Sequence, residues 1–253
     1  MESSASPVSP LDASFGLAAS ARRPTPHDRL LAVIEVVLCS GFPTQLALAA
    51  LFAWLGFGAL GGFRMQFVAP LLLTDTAVLI GLILVFLRVH GEDPVELFFG
   101  ARHWRSEFRA AVPMVFKAYG IAFGVMITLG ALAPWLHTVP QNPLQSLLKS
   151  PGDVALFTLI VIVAGGVREE VQRAFILRRF GQSLGGTTVG VVLSSIAFGA
   201  GHYVQGADAA IATALLGAFW GVSYLRRRSI VAPVVSHAAF DVMQIALFLV
   251  TGR

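Results

Sequence analysis

Charge and cysteine are both scarce in this chain. Asp, Glu, Lys and Arg make up 13% of its 253 residues, where a soluble domain carries roughly a quarter. The chain is therefore short of the solvated surface that a water-soluble fold requires. Cys39 stands alone, which excludes a disulfide framework and a cysteine metal site. Strict apolar–polar alternation is missing, and with it the pattern of a lipid-facing β-barrel. No HExxH helix of the zinc-peptidase kind occurs, and neither does an internal repeat or a second domain. Residues 1–28 lack a basic start followed by an apolar core, so they do not read as a signal peptide. Rich in Ser, Pro and Ala, they are expected to form a disordered cytoplasmic tail.

What fills the chain is hydrocarbon. Apolar residues account for 56% of it, mean hydropathy is +0.75, and several runs approach the roughly 20 residues that span a bilayer. The expected fold is all-α: a polytopic transmembrane helical bundle in a single domain over 29–253. About seven spans are expected, with an N-terminal interfacial helix before them. The first follows the break that Pro43 makes in SGFPTQ, from Gln45 onward, and a single kinked span is the other reading there. The second covers Phe67 to Leu87 and the third Ala110 to Leu136. Between them lies the charged stretch Arg88–Arg109, a loop or surface helix. In SPGD, Ser150 caps, Pro151 opens and Asp153 sits in the first turn of a fourth helix that ends near Phe180. Thr187 or Val189 to His202, Asp208 to Leu225 and Ile230 to about Val250 complete the set.

The net charge of +4 and a pI near 9.8 read as the basic bias of cytoplasmic loops, not as a nucleic-acid surface. Arg22, Arg23 and Arg29 predict a cytoplasmic N-terminus. Alternation then puts the Arg88–Arg109 loop, Arg178/Arg179 and Arg226–Arg228 on the same side, and leaves only Arg64 and Lys149 opposite. The expected location is integral to the membrane, multi-pass, in contact with the lipid bilayer.

Against this background GGVREEVQRAF is anomalous. Arg168, Glu169, Glu170 and Arg173 directly follow LFTLIVIVA. At 1.5 Å per residue, Glu169 lies roughly 13 Å from the Arg178 level and His237 about as far from Arg228. His202 comes out deeper, roughly 20 Å from Val189. Ionisable groups at such depth are costly and mark functional sites by default. The spacing lets Glu169 pair with Arg173 on one face, with Glu170 turned about 100° away. His237 and Asp241 in HAAFD are four apart, so the carboxylate can fix the imidazole tautomer. His202 follows Phe198 by four in FGAGH, whose glycines allow close backbone approach.

Glu-Glu with a nearby Arg, FxxxH and then HxxxD, in that order over about residues 150–245, resembles the CAAX-protease and bacteriocin-processing family of intramembrane endopeptidases. That family includes the Ras-converting prenyl-protein protease and abortive-infection proteins. Its pattern is EExxxR, FxxxH, HxxxN/D. Phe198/His202 and His237/Asp241 fit it, whereas Glu-Glu to Arg173 is one residue short. Aligning on Arg173 makes Glu169 the second glutamate; aligning on the pair makes it the first. The resemblance implies hydrolysis of a peptide bond in a membrane-associated protein or peptide. Glu169 or Glu170 would activate water with help from His202. His237, set by Asp241, would stabilise the oxyanion or protonate the amine, with Arg173 and Phe198 in support. Two histidines with a glutamate also make a zinc set. Other readings are a serine protease using Ser223 with His237, and a catalytically inactive family member acting as a scaffold, partner-binding protein or transporter.

Overall fold

The computed structural model describes residues 23–57 and 64–252, and among them every regular element is helical. The tail expected over 1–28 lies largely outside these residues. Its last part does not: helix α1 already runs Pro26–Leu38, capped by Thr25, whose hydroxyl accepts from the Asp28 amide while the Asp28 carboxylate accepts from the Thr25 amide. That reciprocal box, with Pro26 opening the helix, starts the fold three residues earlier than composition suggests.

The Pro43 break is real. Helix α2 (Phe42–Trp54) follows α1 at a 45° bend, with Gly41 in the left-handed region at φ 85°. Helix α3 covers Met65–Val89, and the charged stretch holds a short helix α4, Pro94–Phe99. Helix α5 (Trp104–Leu132) begins inside that stretch and stops before Pro134, not at Leu136. Backbone then stays helical from Pro151 to Ser183. It runs as α6 (Pro151–Ile160), a π-helical segment (Val161–Arg168) and α7 (Glu169–Ser183). Ser150 accepts from the Asp153 amide as its cap. Helices α8 (Thr187–Gly201), α9 (Ala207–Arg227) and α10 (Val231–Thr251) close the chain.

Seven spans are more than length and composition support. Among the described residues, α3, α5, α9 and α10 are long and apolar enough to cross a membrane, and α1 with α2 makes a fifth if the bent pair counts as one. Helix α8 is apolar but has 15 residues, and the π segment divides the 151–183 helix. Large apolar side chains on the outer faces, such as Leu46, Val85, Phe116, Ile127, Ile196 and Leu249, are exposed, as lipid-facing residues are.

Helix α7 is buried on nearly all sides. Val171, Ala174, Phe175 and Leu177 join Leu79, Ile83, Leu87, Tyr224 and Leu225 in one apolar cluster. Helix α8 packs on α9, and α10 lies between α5 and the π segment. Glu35 is buried. It bonds the Arg179 guanidinium and, at 2.6 Å, His90 Nε2. The segment Arg178–Gln182 also takes in Glu92, with Arg179 Nη1 at 2.6 Å and Arg178 Nε at 3.1 Å. One end of α7 is thereby pinned to α1 and to the α3–α4 connection.

Candidate active site

Two adjacent glycines bring the acidic and imidazole groups together. An added Cβ at Gly166 would lie 2.8 Å from the Ala238 Cβ, and one at Gly165 would lie 2.6 Å from Asp241 Oδ2. Only glycine lets α10 approach the π segment this closely. His237 and Asp241, either side of that contact, therefore face Glu169 and Glu170. Each turn of π-helix takes one residue more than an α turn, and such segments concentrate at functional sites.

The pairings differ from those that spacing alone suggests. Arg173 pairs with Glu170, three residues before it, and not with Glu169. Glu170 is fully buried, and its Oε1 also meets His237 Nδ1 at 2.8 Å. Since that carboxylate, held by a guanidinium, acts as acceptor, Nδ1 carries the proton and Nε2 faces elsewhere. Asp241 stands 3.8 Å from Nε2, beyond hydrogen-bond length, and Glu169 Oε2 stands at 3.7 Å. Glu170, not Asp241, is thus the carboxylate that orients the imidazole. The short Glu-Glu-to-Arg spacing is what turns Arg173 to Glu170: three residues place two side chains on one helical face as four do.

Rings immobilise His237 further. Trp220 stacks on it at 3.8 Å and 15°, and the indole N–H donates to Ser236 Oγ at 3.0 Å. Phe198 meets His237 edge-on at 6.1 Å and lies under the Arg173 guanidinium at 4.8 Å. His202 caps the end of α8 beyond Phe198, ring to ring at 4.7 Å. Its Nδ1 lies 2.8 Å from the Phe198 carbonyl. A carbonyl only accepts, so Nδ1 donates and Nε2 is left as an acceptor.

All of this borders one cavity of about 970 Å³, lined by Glu169, Arg168, Phe198, His202, His237 and Asp241 among many apolar side chains. Glu170 does not line it; Glu169 does, with its side chain 17% exposed. The lining also includes His137 and Asn142, from the connection after α5. That connection is tied to the start of α9 by His137 Nδ1 to Asp208 at 2.7 Å, by Asn142 Nδ2 to Gln205 at 3.1 Å, and by Thr138 Oγ1 accepting from the Ala207 amide.

The expected residues thus converge, with His202 one ring away. Those the sequence reading passed over are Asp75, Arg168, Trp220 and the Gly165–Gly166 pair. Asp75 had a signal, as the one acid in the second apolar span; Trp220 had none. Ser223 does not converge. It lines a separate groove between α5 and α9, and its hydroxyl donates to the Phe219 carbonyl at 2.7 Å, so the serine alternative has no histidine. Among the described residues no three His, Cys, Asp or Glu side chains are arranged to hold a metal ion.

Residues 151–243 match the family model for type II CAAX prenyl endopeptidases, described as Rce1-like. Over this segment the chain is similar to the CAAX-protease family. Neither a curated protein nor a solved structure matches it. The matched stretch of the CAAX-protease family runs from α6 into α10 and contains Glu169, Glu170, Arg173, Phe198, His202, His237 and Asp241. The apolar helices and this match together support an integral membrane protein.

Proposed function

We propose that the chain is an intramembrane endopeptidase in which Glu169 is the general base. The observation that carries this is the division between the two glutamates. Glu170 is buried and its Oε1 is held by both Arg173 and His237, whereas Glu169 lines the cavity without a hydrogen-bonding partner of its own.

A general base must reach the proton it takes. A water beside Glu169 gives its proton to the carboxylate, and its oxygen adds to the scissile carbonyl. His202 Nε2, free to accept, helps hold that water. The oxyanion forms beside His237 Nε2, whose ring is fixed by Glu170 and Trp220; a preorganised donor there stabilises the developing charge. The proton held by Glu169 passes to the nitrogen as the C–N bond breaks, leaving a carboxylic acid and an amine. Asp241, 3.8 Å from Nε2, supports a proton on that nitrogen.

The substrate is a membrane-associated protein or peptide, drawn into the cavity that these groups line together with many apolar side chains. The N-terminus faces the cytoplasm, on the strength of the basic residues near the span ends. Purified full-length protein incubated with a quenched-fluorescence transmembrane peptide tests the reading. Cleavage lost in Glu169→Gln supports it. Cleavage indifferent to Glu169→Gln and to His237→Ala removes it in favour of a scaffold or binding role.

A further inference from the structure

None of the three motifs gives Arg168 a task, and Asp75 lies far outside the matched segment. The two are joined inside the bundle. Arg168 Nη2 meets Asp75 Oδ2 at 2.8 Å, with Asp75 fully buried and the arginine side chain 7% exposed. Asp75 Oδ1 accepts from Thr44 Oγ1 at 2.5 Å, and Gln45 Nε2 reaches Oδ2 at 3.3 Å. Room for the guanidinium comes from Gly41. A Cβ there would collide with Nη2, and its left-handed backbone makes the bend between α1 and α2.

The other end of the guanidinium points at the site. Arg168 Nη1 lies 3.9 Å from Glu169 Oε1, and both side chains line the cavity. Among the described residues, Arg168 is the arginine or lysine within ion-pair distance of Glu169, because Arg173 is engaged with Glu170. The other charged or titratable groups around Glu169 are Asp241 from α10 and Glu170 beside it, which do not attract a carboxylate, and His237 from α10, whose Nε2 lies 3.7 Å from Oε2 and attracts it when protonated. A buried ion pair contributes little net stability against its desolvation cost, and its common use is to fix geometry.

We propose that Arg168 is a positioning residue: paired from behind with Asp75, which Thr44 and Gln45 hold in turn, its charge, at ion-pair distance and not hydrogen-bonded, draws the Glu169 carboxylate to the cavity wall where it activates water. The N-terminal bent pair α1–α2 and helix α3, outside the family segment, thereby complete the site. This rests on the assignment of Glu169 as base.

The test is steady-state cleavage of the same peptide by the purified full-length chain, with thermal unfolding of every variant. Arg168→Gln is expected to lower kcat by about tenfold or more with KM within about twofold, the pattern of a misplaced catalytic group. Arg168→Lys restores part of kcat. Asp75→Asn lowers kcat less, and adds nothing to Arg168→Gln, because Asp75 acts through Arg168. Arg168→Gln strands a buried carboxylate and can fail to fold; the double variant Asp75→Asn/Arg168→Gln strands none and carries the same expectation for kcat. An unchanged kcat in that double variant overturns the proposal, as does a rise in KM without a fall in kcat. Failure of the base assignment looks different. There, wild type does not cleave, or Glu169→Gln cleaves as wild type does, and both readings fall together. Glu169-dependent cleavage that ignores Arg168 removes this inference alone.

Discussion

Arg173 closes on Glu170 and leaves Glu169 to the cavity. One residue fewer between the glutamates and the arginine does not remove a carboxylate from the site. Arg173 takes the carboxylate three residues before it. The two glutamates should consequently fail in different ways when altered.

Glu170→Gln removes the charge that Arg173 and His237 both contact. Breaking a buried pair from one side costs about 3–5 kcal/mol, so a fall in unfolding temperature is expected together with lost cleavage. Glu169→Gln leaves both partners of Glu170 intact. Its unfolding temperature should stay near that of wild type while kcat falls by about 10²-fold or more, the usual contribution of a general base. Differential scanning fluorimetry beside a cleavage assay reads both, and an equal loss of stability in the two variants would contradict the division of roles.

The glycine contact makes a geometric prediction. Gly166→Ala places a methyl 2.8 Å from the Ala238 Cβ and 3.3 Å from its Cα, a clash that pushes α10 away from the π segment. Overpacking of this kind costs about 1–3 kcal/mol, and the His237–Glu170 bond lengthens with it, so cleavage should fall more than stability does. Gly81→Ala is the control. A Cβ there meets nothing within 4 Å, and replacing a mid-helix glycine should be neutral or stabilising by about 0.5–1 kcal/mol. Equal effects at the two positions would remove the close-approach argument.

Much of this arrangement was legible one helix at a time. FGAGH and HAAFD carry their groups four apart, and SPGD and Thr25–Asp28 mark helix starts through local capping chemistry. Contacts between helices were not legible. Nothing along the chain says that Asp75 meets Arg168, that Glu35 meets Arg179, or that Trp220 covers His237, because periodicity reports a buried face and not its neighbour. The π segment was hidden for a related reason. Its apolar sequence suits an α-helix equally well, and only packing against α10 reveals the wider turn that sets the direction of Glu169 and Glu170. Seven spans are not confirmed by length and composition, since α8 is apolar but has 15 residues.

Trp220 supplies a test of how far the imidazole depends on its support. The indole is 1% exposed, stacks on His237 and bonds Ser236. Trp220→Ala opens a cavity worth about 3–5 kcal/mol and is expected to abolish cleavage with stability. Trp220→Phe keeps a ring against His237 but leaves Ser236 without the indole donor; a loss near 1 kcal/mol with most activity retained is expected. If Trp220→Phe is as inactive as Trp220→Ala, the hydrogen bond to Ser236, not the stacked ring, fixes the imidazole.

Away from the membrane-spanning segments, Glu92 gives the fold a pH dependence whose sign follows from its partners. Burial pushes its carboxyl up, but the hydrogen bond and charge of Arg179, with Gln182 and Arg178, outweigh that and hold it below its ordinary value of 4.5. The folded state therefore binds the proton less readily than the unfolded chain does. The stability this confers is complete above the unfolded value and is lost as pH falls through the lower, folded one. Unfolding temperature should be flat from about pH 7 down to about pH 5 as far as Glu92 is concerned, then drop below 4.5. Glu92→Gln should start lower, since Arg178 and Arg179 lose their shared acceptor, and should show a shallower decline in acid. A decline of unchanged steepness in Glu92→Gln would assign the acid sensitivity to other carboxylates.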